Sequence, residues 1–184
     1  MAWTNADGLQ VRFASDWKAN ALRFNRSGVV NSYGRIKELV IDVDLKKLPA
    51  GGISFTADLN NDGTLDGFYN GDVAIPANAS IVGGQLTMGE AAAGGTSIEV
   101  GLFTKAGAAI DADGLITAAA GVTANMAVGD RIDLNGAFAS TTAGTNGIGA
   151  VDGYVGFTTV GTFTAGRGQL VVQYVEAAAL PTAN

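Results

Sequence analysis

The sequence predicts an all-β protein, jelly-roll-like or a two-sheet β-sandwich, with an extended N-terminal arm. Three observations point there. Short runs of alternating apolar and polar residues recur along the chain, the period of a strand with one buried face. The clearest is 96–103, with Thr96, Ile98, Val100 and Leu102 on one side and Ser97, Glu99, Gly101 and Phe103 on the other. Turn formers are dense: there are 27 Gly in 184 residues, with Asn70-Gly71 and Asp113-Gly114 as hairpin signals. No stretch reads as a long helix, and roughly eight to ten short strands between turns suit a sandwich, jelly roll or barrel.

Residues 1–35 read as an arm with one short strand, 36–176 as the β core and 177–184 as a flexible tail. Within the arm, 1–8 is polar around Trp3, which on its own reads as a local packing anchor. Residues 9–14 alternate as a strand. Residues 16–32 are irregular and, with Arg35, gather Lys18, Arg23 and Arg26. That basic stretch reads either as a solvated loop or as an arm lying on an acidic neighbour. Trp17, Phe13, Phe24 and Tyr33 lie close to it in sequence, and aromatics beside arginines anchor protein contacts. The competing reading is that they close one end of the core, which for Phe13 is the better one.

Residues 35–44 form a strong strand with Leu39, Ile41 and Val43 inward and Val40, Asp42 and Asp44 on the other face. Lys46 and Lys47 close it. A strand starting at 53 runs into the turn 58–63, and 65–69 and 72–75 flank Asn70-Gly71. Residues 81–88 are the next strand, with Gly83-Gly84 as a bulge. Residues 91–95 read as a connection to strand 96–103, and 105–113 as a turn leading into a short strand at 114–117. The small residues of 118–127 favour a loop over a helical turn. Residues 130–138 alternate again, 139–150 read as a long exposed loop, and 151–163 and 169–175 are the last strands.

Composition narrows function more sharply than fold. A chain of this length buries ~70% of its unfolded surface and needs no staple. There is no Cys and no His, which removes disulfides, thiolate metal sites, the cysteine nucleophile and the usual general base. The net charge of -6 argues against tracking a nucleic-acid backbone. No apolar run is long enough to span a membrane. The N-terminus lacks the basic flank and apolar block of a secretory signal.

The best local motif is Asp58-Leu59-Asn60-Asn61-Asp62-Gly63-Thr64-Leu65-Asp66. It matches the first nine positions of a calcium loop, with oxygen ligands from Asp58, Asn60, Asp62, the Thr64 carbonyl and Asp66. The twelfth position, which needs a bidentate carboxylate, is Tyr69. Asp72, Asp111 or Asp113 would have to stand in. The competing reading is a turn rich in Asn, Asp and Gly for backbone reasons. Asp111 and Asp113 form a second carboxylate pair, but in an exposed turn nothing raises one pKa, as glycoside hydrolysis requires. No G-x-S-x-G elbow is present, and Gly147-Ile148-Gly149 and Gly166-Arg167-Gly168 lack the context of a phosphate cradle. No catalytic residue is assigned, and the chain reads as a non-enzyme.

Three stretches resemble the small β-rich decoration, or cement, proteins of tailed-bacteriophage capsids: 1–13 (MAWTNADGLQVRF), 75–81 (IPANASI) followed by 94–102 (GGTSIEVGL) as a core hairpin, and 110–115 (IDADGL). The resemblance implies a head-stabilisation protein of the virion, made in the host cytoplasm without a signal peptide. It would sit on the outer surface of the assembled capsid, bridge neighbouring major capsid subunits and act as a homotrimer or dimer. It implies neither a nucleic-acid nor a membrane partner. The capsid contacts would then come from the arm, through Trp3, Arg12, Trp17, Arg23 and Arg26. Two other classes fit the same composition: an extracellular adhesion or carbohydrate-binding β module, with or without calcium, and a head-fibre or tail component of the same virion.

Overall fold

The computed structural model describes residues 2–4, 10–12, 28–33, 36–48, 50, 53–55, 74–139 and 147–176. Two strands, β1 (Ala2–Thr4) and β2 (Gln10–Arg12), form an antiparallel ribbon of their own. The remaining strands build two antiparallel sheets. In chain order they are β3 (Gly28–Tyr33), β4 (Ile36–Asp44), β5 (Ile53–Phe55), β6 (Ala74–Ile75), β7 (Ser80–Ala93), β8 (Ser97–Phe103), β9 (Ala109–Ile116), β10 (Arg131–Asp133), β11 (Gly153–Val160) and β12 (Ala165–Val175). The first sheet runs β10-β7-β12-β4-β3. The second runs β9-β8-β11, with β5 and β6 both paired to β11.

Both sheets contribute to one core. Leu39, Ile41 and Val43 of β4, Leu86 and Met88 of β7, and Leu170 and Val172 of β12 meet Ile98, Val100 and Leu102 of β8, Leu115 and Ile116 of β9, and Val155 and Phe157 of β11. The alternation of β4 and β12 places every second side chain in this layer, so the two-sheet sandwich follows from the strand pattern. The chain changes sheets between β7 and β8. The stretch 75–102 is therefore a corner, with β7 and β8 in different sheets, and the hairpin expected there does not form. Gly94 (φ 94°) makes the bend, and Thr164 N and Thr96 N donate to the Ala93 and Val160 carbonyls at 2.8 and 2.7 Å.

Several boundaries differ from the sequence reading, each for a local reason. Residues 91–93, read as a connection, belong to β7 because β12 continues alongside them, Ala93 opposite Ala165. The residue inserted at the bulge is Val82: Gly83 pairs with Gln173 and Ile81 with Tyr174. Asp113-Gly114 is not a turn but the interior of β9. The hairpin closes earlier, where Thr104 N donates to Ala108 O at 2.7 Å and Gly107 N to Thr104 O at 2.9 Å. Gly114 is needed for packing, since a Cβ there would lie 2.5 Å from the Phe138 ring.

The last third of the chain departs from the reading in the same way. Of 130–138 only β10 is strand; Ala137–Ala139 is a 3-10 turn that inserts Phe138 into the core. The loop at 118–127 holds a 3-10 turn, Thr123–Asn125. Ile148, read as part of an exposed loop, is buried, and Gly147 forms a β-bridge with Ser80. At the N-terminus, β1 occupies part of the stretch read as merely polar. β3, which lies within 1–35, is the edge strand of the first sheet, paired with β4 from Gly28↔Ile41 to Tyr33↔Ile36. Residues 177–184 lie outside the described residues.

Candidate functional site

The structure places the sequence-predicted residues unevenly. Trp3 stands opposite Val11 and Arg12 opposite Ala2 in the β1–β2 ribbon, and β2 lies beside β3. Trp17, Arg23 and Arg26 lie outside the described residues, as do Asp58, Asn60, Asp62, Thr64 and Asp66. The calcium stretch is nevertheless bracketed. Phe55 pairs with Gly156 and Ala74 with Tyr154, both on the same edge of β11. β5 and β6 are thus two pieces of one strand line, interrupted by residues 56–73. Among the described residues, no group of three or more His, Cys, Asp or Glu is placed to hold a metal ion.

Among the described residues, the first sheet presents a five-stranded outer face. Its rows follow from register. Val40 faces Val171, which faces Gln85; Glu38 faces Gln173; Asp42 faces Gln169; Ile36 faces Val175. The charges in these rows are partnered within the face: Gln169 Nε2 donates to Asp42 Oδ1 at 3.0 Å and Gln173 Nε2 to Glu38 Oε1 at 2.7 Å. Apolar side chains break through it, with Val82 51% and Ile36 43% exposed. At its lower margin Lys37 pairs with Glu176 at 2.6 Å, and burial together with the Glu176 charge pushes the Tyr174 phenol up to about 12. Alternation in β4 already hinted at this face. Which strands stand side by side was not legible without the sheet order.

At the other margin, Arg167 lies between Asp44 and Glu90. Asp44 was expected on the open face. It is buried, and its Oδ1 accepts from Lys46 N at 3.2 Å, capping the 3-10 turn Leu45–Lys47. Strand β8 also departs from expectation, with both faces covered: Ser97, Gly101 and Phe103 are buried, and Glu99 is half-buried. Phe103 pairs with Tyr154 on the side away from the core.

The carboxylate pair lies within β9 rather than in a turn. Asp113 N donates to Asp111 Oδ1 at 3.4 Å. Partial burial, aided by the Asp113 side chain and charge, raises the Asp111 carboxyl from its ordinary value. That corrects the expectation that nothing would do so. A nearby open depression of ≈ 360 Å³ is lined by Ala120, Ala124, Asn125, Asp130, Arg131, Ile132, Asp133 and Asn135. Its polar groups are tied to the fold: Asn125 Nδ2 donates to Ala120 O, Asp130 Oδ2 accepts from Ala127 N, and Asn135 Oδ1 accepts from Thr117 N.

No family model matches the chain, and no curated protein matches it. Among solved structures, the chain is similar to a chain of the cyanophage Pam1 capsid asymmetric unit. The two are 13% identical, the match covers 96% of this chain and 99% of that one, and the TM-score is 0.46. No helix among the described residues is long and apolar enough to cross a membrane.

Proposed function

We propose that this chain is a non-enzymatic virion protein that binds the outer surface of an assembled phage capsid and stabilises it by bridging neighbouring major capsid subunits. The observation that carries the reading is the outer face of the first sheet. It is broad and poor in unpaired charge, with valines and amides in register and Val82 and Ile36 exposed. Such a face suits a wide protein contact better than it suits a small-molecule site, which is concave and enclosing. The resemblance of 1–13, 75–81 with 94–102, and 110–115 to decoration proteins supports the same reading.

The physical role follows from linkage. A protein that binds only the assembled shell stabilises that state, and several copies around a symmetry position add avidity without strong individual contacts. Residues 1–35, with Trp3, Arg12, Trp17, Arg23 and Arg26, are the segment assigned to reach the shell. Co-sedimentation with purified capsids tests the reading. Full-length protein should pellet with shells, and deletion of residues 1–9 should weaken pelleting while the melting transition of the sandwich persists. Full-length protein that stays in the supernatant would remove the proposal.

A carbohydrate-binding module is the second reading, and the depression at Asn125, Asp130 and Asn135 is where it would act. The internal hydrogen bonds of those three residues leave little to offer a sugar. A glycan-array signal that survives mutation of the outer face would favour it.

A further inference from the structure

We propose that Asn135 is a modification site gated by the fold: the seam it closes between the two sheets holds it as an amide, and opening of that seam converts it irreversibly to aspartate or isoaspartate, the latter unable to re-form the seam. Nothing in this depends on binding to a shell. The chemistry starts from the sequence. Asn135 is followed by Gly136, and a glycine puts no side chain in the way of its own backbone nitrogen. That nitrogen, on losing its proton, bonds to Asn135 Cγ; the Cγ–Nδ2 bond breaks and ammonia leaves. Water then opens the cyclic imide at either carbonyl. Cleavage at Cγ gives aspartate with the ordinary main chain. Cleavage at the main-chain carbonyl gives isoaspartate, with the main chain rerouted through Cγ. One water is consumed and one ammonia released, with no oxidant or other reagent.

The fold restrains both reacting groups. Gly136 N, the attacking atom, donates to Leu115 O at 3.1 Å, an acceptor shared with Asn135 N at 3.0 Å. The Asn135 amide is held at both ends: Oδ1 accepts from Thr117 N at 3.1 Å, and Nδ2 donates to Thr117 Oγ1 at 3.0 Å. Gly136 is buried, and a Cβ on it would collide with the Asp113 and Gly114 carbonyls, so its peptide plane has little room to turn. Just beyond, Ala139 N donates to Gly136 O at 3.0 Å and Phe138 fills the core. The Asn135 side chain itself is exposed, so water has access and ammonia can leave. Protection therefore rests on geometry and not on exclusion of solvent.

These residues sit where the sheets meet. Leu115 and Thr117 lie at the end of β9 in the second sheet, while 134–136 follow β10 in the first, where Leu134 N donates to Gly84 O of β7 at 3.2 Å. Isoaspartate inserts one carbon between the two nitrogens that share Leu115 O, so both cannot keep that acceptor. Aspartate is the milder product: it still accepts from Thr117 N, loses the Nδ2 donor and places a new carboxylate two residues from Asp133. Neither product reverts, because the ammonia is gone. The seam thus keeps a one-way record of having opened.

Peptide mapping by mass spectrometry, on the full chain held in mildly alkaline buffer, follows Asn135 separately from the other Asn-Gly pairs, Asn70-Gly71 and Asn146-Gly147. Reaction through the open state alone makes the rate follow the open population. Folded protein should therefore convert at least ~tenfold more slowly than the same chain in urea. Thr117→Val removes the Oγ1 acceptor at nearly constant volume and should speed conversion in the folded protein by roughly fivefold. Thr117→Ser keeps the hydroxyl and should match wild type. Amide exchange at Gly136, read on the same samples, should rise in step with conversion. The purified isoaspartate form should exchange faster at 115–117 and 134–136 than unmodified protein. If Thr117→Val does not fold, the wild-type comparison and the isoaspartate form decide. Equal rates in folded and unfolded chains, a folded Thr117→Val protein no faster than wild type, or an isoaspartate form with unchanged exchange would overturn the proposal.

Discussion

Arg167 Nε lies 3.5 Å from Oδ2 of Asp44, a carboxylate on the neighbouring strand that is only 4% exposed. The same nitrogen reaches Glu90 Oε2 at 3.4 Å on the other side, so one guanidinium spans three strands of the first sheet. Buried carboxylates depend on such partners, because losing the counter-charge leaves the desolvation cost in place. Arg167→Met should lower stability by about 1–3 kcal/mol, read as a shift of the urea midpoint. Arg131, more than half exposed beside an exposed Asp133, is the control: Arg131→Met should stay within ~0.5 kcal/mol.

Close approach of β9 to β8 sets the next prediction. A Cβ at Gly101 would lie 2.2 Å from the Asp111 carbonyl oxygen. Gly101→Ala should cost about 1–3 kcal/mol or more and loosen β9, seen as faster amide exchange at 109–116. Gly147, where a Cβ meets nothing within 4 Å, should tolerate Ala with little change in the melting temperature.

Acid titration should expose the Asp111 shift. Its folded-state pKa lies above the unfolded value near 3.8, by burial first and Asp113 second. The folded protein therefore holds the proton more tightly, a contribution fully present below the unfolded pKa and lost as pH rises through the folded one. Asp111→Asn keeps the Oδ1 acceptor and removes the charge. It should stabilise the protein at pH 7 and give no advantage near pH 3, measured by melting temperature across that range.

Calcium titration separates the two readings of Asp58, Asn60, Asp62, Thr64 and Asp66. A bound cation would raise stability by ~2.7 kcal/mol at a hundredfold excess over its dissociation constant. With Tyr69 at the twelfth position, the expected outcome is a turn shaped by backbone preference. Neither calcium nor a chelator should then move the melting temperature, and a clear rise with calcium would establish the site.

The parts of the fold that sequence made legible are those governed by local periodicity. Strand β4 was readable because Leu39, Ile41 and Val43 alternate with Val40, Asp42 and Asp44 on the other face, whereas β12, read as 169–175, begins at Ala165. Reading failed where a residue's environment is set by something distant in sequence. The burial of Asp44 was not legible because its partner Arg167 is 123 positions away. Gly114 looked like a turn because the Phe138 ring that excludes a side chain arrives only in the tertiary fold. The candidate surfaces divide likewise. The basic character of 1–35 is a fact of composition, but the outer face of the first sheet required knowing that β12 stands between β4 and β7.

The interruption between β5 and β6 has a practical consequence. Because Phe55 and Ala74 rest on β11 opposite Gly156 and Tyr154, two positions apart and thus roughly 7 Å along the strand, the intervening eighteen residues begin and end almost at one point. Loop length is thermodynamically cheap to change when the ends are already fixed. Residues 56–73 are accordingly the place to graft a foreign epitope or reporter peptide, with the sandwich serving as its display scaffold.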